Sequence, residues 1–350
     1  TRGMGFVVQQ AYADLTWKAL RLSIGSKERG AFPLERNTSL SSGAMVEGPN
    51  ARPVPQVRID IRDYLNVPGT GGWLAFKGHL AYGAFTDNKW QKKFTAAGNN
   101  YIQMATQFGG DQYEKQADGN GKLTLDMPSN AKAFWKAFFP QAGGSDTPEG
   151  EQVNVEGNML GSWNFALNGY VGDWTLRAYL EHYFEDTSQM FWEYGRWKDG
   201  LIGLEVTLPK NRWLSTAVWE GLCTKDQSGP MLFDGFWGQF PEYQISACDS
   251  YYNHYLYGAW QHAGMGMGNP LLPGSAYNDG KITFRSNRVR AHHLGLTGQP
   301  AEEWNWRVLI SFARHWGTYE NPLDKQRKQF SSLWEVTYAP ERFKGWSASV

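Results

Sequence analysis

Two stretches of this chain crowd aromatic rings against charged side chains. The first, 186–199, holds Phe191, Trp192, Glu193, Tyr194, Arg196, Trp197, Lys198 and Asp199. The second, 224–263, holds Phe233, Asp234, Phe236, Trp237, Tyr243, Asp249, Tyr251, Tyr252, His254, Trp260 and His262. Sugars bind by stacking C–H faces on rings while carboxylates and guanidinium groups take the hydroxyls. Both mixtures suit a glycan, and both also suit a hydrophobic cluster anchoring a rim at a lipid boundary. Arg285, Arg288 and Arg290 form a third cluster. It fits an acidic polysaccharide, because Arg grips carboxylates through paired hydrogen bonds. The structural alternative pairs these arginines with Glu181, Glu205 or Glu335.

Enzymatic patterns are thin. There is no Gly-x-Ser-x-Gly elbow and no His-Glu-x-x-His. Glu181 and Glu185, four apart on one strand face, lie on the order of 13 Å apart, beyond the ~6.5–9.5 Å of an inverting glycosidase pair. His292 and His293 point to opposite faces of a strand and cannot chelate one metal together. The run from Asp118 to Asp126 lacks the ligand spacing of a calcium loop and reads as a polar turn. Gly264-Met265-Gly266-Met267-Gly268 follows no strand-to-helix pattern, so it predicts no dinucleotide site. No enzyme, cofactor or metal site is expected. Lys plus Arg equal Asp plus Glu at 34 each, so no basic field points to nucleic acid. Cys223 and Cys248 flank one long connection; a disulfide across it and two unrelated thiols both remain open.

The elements that would carry these residues are strands. Val57 to Arg62 alternate strictly between apolar and charged, and a two-residue period recurs along most of the 350 residues. Forty Gly, 17 Trp, 17 Tyr and 19 Phe are a strand-and-turn composition. No apolar run approaches the ~20 residues of a membrane helix, a test that barrels evade because only alternate residues face lipid. About thirteen or fourteen strands are expected, the clearest at 5–17, 19–27, 56–64, 72–85, 158–171, 173–185, 200–209, 212–223, 282–297, 303–316 and 329–339. One face collects Arg21, Arg58, Asp60, Arg62, Lys77, His79, Arg177, Glu181, Glu205, Arg307 and Glu335, predicted to line a polar lumen. The other collects Leu22, Ile24, Leu80, Leu167, Leu204, Trp334 and Val336, predicted to face lipid.

Tight turns such as Lys18-Ala19, Gly169–Gly172 and Pro209–Asn211 alternate with long connections at 29–54, 110–157, 186–199, 224–281 and 317–328. That matches periplasmic turns and extracellular loops. Residues 130–140 predict a short amphipathic helix bearing Phe134, Trp135, Phe138 and Phe139, folded into the barrel mouth or onto its rim rather than lying on the membrane. Parity breaks between 72–85 and Gly110, where only Tyr101–Gln103 is available to run downward, which predicts missing sequence around Gln103–Met104. Residues 345–350 start a further upward strand, and any export signal is absent or already removed.

Gly72-Trp73-Leu74-Ala75-Phe76-Lys77-Gly78, Gly161-Ser162-Trp163-Asn164-Phe165, Met190-Phe191-Trp192-Glu193-Tyr194-Gly195, Trp260-Gln261-His262 and Trp334-Glu335-Val336-Thr337-Tyr338 resemble capsule-assembly proteins of the Wzi family, in the branch found in Bacteroides-like bacteria. The resemblance covers nearly the whole chain. It implies an all-β transmembrane antiparallel barrel of about eighteen strands, roughly fourteen readable here. It further implies a lectin that holds capsular polysaccharide at the surface of a Gram-negative cell. Relative to that pattern the N-terminal region, a stretch near Gln103 and the last strand are absent. Three functions are therefore weighed: a non-enzymatic outer-membrane lectin, a passive diffusion channel, and a structural barrel subunit docking protein partners.

Overall fold

The computed structural model describes residues 8–29, 36–86, 93–99, 102–115, 122–147, 152, 155–185, 187–190, 198–209, 211–230, 246–274, 276–278 and 281–350. Among them, fourteen strands form one antiparallel sheet in which sequence neighbours are spatial neighbours throughout. In order they are β1 (Ala11–Trp17), β2 (Leu20–Ser26), β3 (Gln56–Ile61), β4 (Gly78–Gly83), β5 (Lys93–Asn99), β6 (Ile102–Phe108) and β7 (Asn158–Val171). There follow β8 (Trp174–Phe184), β9 (Gly200–Thr207), β10 (Thr216–Cys223), β11 (Val289–Ala301), β12 (Trp304–Gly317), β13 (Pro322–Tyr338) and β14 (Ala348–Ser349). Among the described residues no pairing joins β1 to β14.

Several expected boundaries move. β5 pairs β4 on one side and β6 on the other, so it supplies the downward strand thought to be missing near Gln103. Its sequence, Lys-Phe-Thr-Ala-Ala-Gly-Asn, is built of small residues and carries almost no hydrophobic contrast. The strand expected at 72–85 shortens to β4, because Ala75–Phe76 pairs instead with Leu65–Asn66 in a small hairpin at the short-turn end. The strand expected from 282 starts at Val289, since Lys281–Thr283 pairs with Ala276–Asn278. The connection expected at 317–328 contracts to a tight turn, and β13 runs on to 17 residues. The segment 254–264 forms two small hairpins outside the main sheet.

The facing of the side chains follows the two-residue period. On β3, Val57 and Ile59 are exposed while Arg58 and Asp60 are buried. The same alternation exposes Leu80, Leu167, Ile202, Leu204, Trp334 and Val336. Ile59 and Leu204 are each 52% exposed, so the apolar face looks outward and is not packed against a second layer. Large exposed apolar rows of this kind are what a hydrocarbon solvent would cover.

Burial also changes along the strands. β7 is buried at Asn158–Ser162 and mostly exposed from Phe165 to Val171, while β8 runs the opposite way. The interior is therefore filled at the end carrying the long connections and open at the end carrying the short turns. The filling is the 36–54 connection together with residues 250–272. Met45, Val46, Tyr251, Tyr252 and Trp260 join Tyr179, Tyr183, Leu201 and Val289 of the wall in one apolar cluster. A polar lumen was expected; at this end apolar inward residues such as Tyr183, Leu201 and Val289 stand beside buried polar ones such as Glu181 and Glu220, because the inward face packs against inserted chain and not against water. If the outward face meets lipid, Leu204→Arg near the middle of β9 should destabilise the protein by about 2–4 kcal/mol, read as the shift in denaturant unfolding in lipid vesicles.

Candidate functional site

The inserted connection is held by charge. Arg36 is fully buried and its guanidinium pairs with Glu181 of β8, with Glu220 of β10 at 3.8 Å. Glu181 also accepts from the Met45 backbone N–H at 3.0 Å. Glu220 accepts from the Ser41 hydroxyl at 2.6 Å, from the Ser42 N–H and hydroxyl at 2.6 and 2.5 Å, and from Tyr179 Oη at 2.5 Å. Burial opposes the charge on Arg36, but Glu181 and Glu220 outweigh it and hold its guanidinium above the usual arginine range. Tyr179 reaches Glu220 by lying across Gly203 of β9, where a Cβ would overlap its ring. The backbone comes equally close elsewhere: the Leu40 carbonyl sits against Gly295 of β11 and accepts from His293 Nε2 at 2.8 Å. Arg36 and Glu220 were not singled out in the sequence. Arg36 stands in a segment with no period, and Glu220 alternates with buried Val218 and Leu222, so its face shows no polar signal.

Six of the predicted lumen residues stand as three pairs directly opposite each other on neighbouring strands: Arg21 with Asp60, Arg177 with Glu205, and Arg307 with Glu335. Arg21 Nε donates to Asp60 at 3.1 Å and Arg307 meets Glu335 at 2.6 Å. Arg307 also donates to the Ser39 carbonyl at 3.2 Å, so this pair too touches the inserted chain. Arg58 and His79 are buried beside them. Lys77 lies between the side hairpin and β4, its ammonium 5.3 Å from the centre of the Tyr64 ring. Arg62 is exposed just past β3, bonded through its backbone N–H to Ala19, and does not line the interior.

The aromatic residues proposed for glycan contact divide sharply. Tyr251, Tyr252, Trp260 and His262 are at most 1% exposed. Their polar atoms serve the inserted connection: Tyr252 Oη donates to the Met45 carbonyl, Trp260 Nε1 to Val46 at 2.8 Å, and His262 Nδ1 bonds the Arg52 carbonyl at 2.7 Å. These four are core, and no sugar face can reach their rings. Asp199, at the foot of this cluster, accepts from the Asp226 and Gln227 N–H groups at 2.9 and 2.6 Å. Burial pushes its carboxyl up from the usual range against those bonds. Trp192, Glu193, Tyr194, Arg196, Trp197 and Trp237 lie outside the described residues. The arginine cluster meets none of the three carboxylates expected of it. Arg288 lies 3.8 Å over the Tyr319 ring, and Arg290 approaches the Cys223 thiol, which is free.

His254 and Arg285 come together in an open pocket of about 770 Å³ at the loop end. Its floor is rigid. Asn253 donates to the Phe284 carbonyl at 3.0 Å and accepts from the Phe284 N–H at 2.7 Å, and Asn287 donates to Ser250 Oγ and to the Tyr251 carbonyl. The far wall is the turn between β12 and β13, closed by the Asn321 N–H donating to Thr318 Oγ1 at 2.9 Å. Tyr255 is 48% exposed, Arg285 and Glu320 are exposed, and among the described residues neither charge is in an ion pair. His254 Nδ1 accepts from the Leu256 N–H at 3.2 Å. A ring, a guanidinium, a carboxylate and an imidazole thus share one concave surface.

Replacing Arg36 with Ala would leave Glu181 and Glu220 buried without their cation. We expect a loss of about 3–5 kcal/mol, seen as a lowered thermal midpoint; an unchanged midpoint would refute the buried triad.

No protein-family profile matches this chain, and no curated protein matches it by sequence. Among solved structures, Escherichia coli Wzi, described as an outer membrane protein involved in group 1 capsule assembly and a carbohydrate-binding β-barrel, is similar over 95% of this chain at 12% identity with a TM-score of 0.54. The chain spans 63% of that protein's length. Outer-membrane-expressed OmpT of Vibrio cholerae gives a TM-score of 0.32 at 9% identity, too low to bear on the fold. The chain therefore shares the all-β fold of the Wzi structure.

Proposed function

We propose that the chain is an outer-membrane barrel that binds carbohydrate at its loop end and anchors capsular or related surface polysaccharide during capsule assembly, without catalysis. The observation that carries this reading is the pocket of about 770 Å³ in which Tyr255, Arg285 and Glu320 stand exposed on a floor fixed by Asn253 and Asn287. The tyrosine ring offers a face to sugar C–H groups, and the charged groups take hydroxyls or an acidic substituent. The outward apolar rows support the membrane location, and the likeness to Wzi supports the carbohydrate. The filled loop end opposes a diffusion channel, since Arg36, Tyr252 and Trp260 occupy the space an open pore would need. A structural subunit without a glycan gives the pocket no role.

The test is binding of the purified protein to its host's own surface polysaccharide. Arg285→Ala removes a charge-assisted contact of about 1.5–3 kcal/mol, ~10-fold or more in Kd, and Tyr255→Ala should weaken binding in the same direction. Both should leave the thermal midpoint unchanged, because neither residue is core. Trp192→Ala and Trp197→Ala probe whether the 186–199 connection adds contacts. Unaltered affinity in all four variants would sink the reading. In planar bilayers the protein should pass little current; porin-sized conductance would favour the channel instead.

A further inference from the structure

We propose that the helix α1 (Ala131–Phe138) is a membrane-interface anchor, its Trp135–Phe139 face lying in lipid on the outside of the sheet near the loop-side rim. The inference rests on the membrane reading of the sheet and adds a second, non-strand contact with the bilayer. The first observation is which side of the sheet the helix occupies. On β4 and β6 the inward residues are His79, Ala81, Gln103 and Ala105; Gln103 donates to Glu47 of the inserted connection, and Ala81 and Ala105 belong to the interior cluster. The outward set on those strands is Leu80, Tyr82, Thr106 and Phe108. α1 meets this outward set: Thr106 Oγ1 donates to the Ala137 carbonyl at 3.1 Å, Phe134 meets Tyr82 edge-on at 5.4 Å, and Phe108 packs with Ala133 and Ala137. Of the two placements its sequence predicted, in the barrel mouth or onto the rim, the helix therefore takes the outer wall and not the mouth.

The second observation is what the helix shows away from the wall. At 100° per residue, Ala133 and Ala137 share the buried stripe, Phe134 and Phe138 flank it, and Trp135 and Phe139 turn outward. Trp135 is 56% exposed and Phe139 53%, their rings stacked 5.8 Å apart at 11°. Lys132 and Lys136 occupy the opposite flank, with Lys136 bound to Glu156 at 3.1 Å. In water those two large rings would be the misplaced residues of an otherwise ordinary helix. On this wall they continue the apolar band of Leu80 and Tyr82, while the lysine flank can stay at the polar headgroups. Continuity with the lipid-facing rows selects lipid over a protein partner.

The experiment uses the full chain in phospholipid vesicles, labelled either by an apolar carbene precursor dissolved in the bilayer or by hydroxyl radicals in the water. The peptide spanning 130–140 should take the apolar label as strand peptides bearing Leu80 and Leu167 do, and Trp135 should oxidise about fivefold or more slowly than in the unfolded chain. Trp135→Ser/Phe139→Ser should abolish most of the helix label while leaving the thermal midpoint in place. Labelled strands beside an unlabelled, rapidly oxidised helix would overturn the anchor and leave the membrane reading standing. Unlabelled strands would overturn both. Protection of Trp135 that depends on protein concentration would assign the face to a second copy, and the anchor would fall.

Discussion

A positive charge with no access to water organises the interior of this protein. Arg36 cannot sit between β8 and β10 unless Glu181 and Glu220 are both present and both further hydrogen-bonded, because an incompletely paired ion in a low-dielectric interior costs several kcal/mol. That requirement fixes more than one residue. It sets the path of the 36–54 connection, places Ser41 and Ser42 against Glu220, and brings the Met45 N–H to Glu181. It also sets the curvature of the wall: one short segment is touched by inward groups from β6, β8, β10, β11 and β12, so the sheet must wrap around it.

From that wrapping follows the division of labour between the two ends. Where inserted chain fills the interior, wall residues are buried on one face by protein and, in the membrane reading, on the other by lipid. Tyr179, Tyr183, Leu201 and Leu222 line that end. Toward the short turns the interior is open, and the cross-strand pairs Arg21–Asp60 and Arg307–Glu335 line it at a charge-balanced, partly accessible level. The loop-end pocket is built on the filled half. Beneath its floor Asn287 bonds both Ser250, which lines the pocket, and the carbonyl of Tyr251, so the buried aromatic cluster and the surface pocket are one framework.

Most of the sheet was legible in sequence, for a simple reason. Wherever one face is apolar and the other ionic, the period of two is plain, as in β3, β9 and the lower part of β13. It fades where the contrast between faces fades. β5 is made of small residues, and β10 presents apolar side chains inward beside Glu220, so neither declares its facing. The site was harder to read. Aromatic rings mixed with acids and histidines describe a glycan surface and a wet core equally well. Tyr251, Tyr252, Trp260 and His262 proved to be core, whereas His254 and Arg285, with the same sequence signal, line the pocket. Glu320 and Tyr255 carried no pattern at all; only the folding of a tight turn against a small hairpin brings them together.

The bond from His293 to Leu40 joins residues 253 positions apart. Such a contact closes a very long loop of chain, and the entropy of that closure must be met before any reward is collected. The early segment therefore has to wait, loosely held, while the nine strands from β3 to β11 are laid down beside it. A cork that is threaded first and gripped last makes assembly a race between its seating and the curling of the sheet, and chains whose sheet forms around an empty interior would be the characteristic misfolded product.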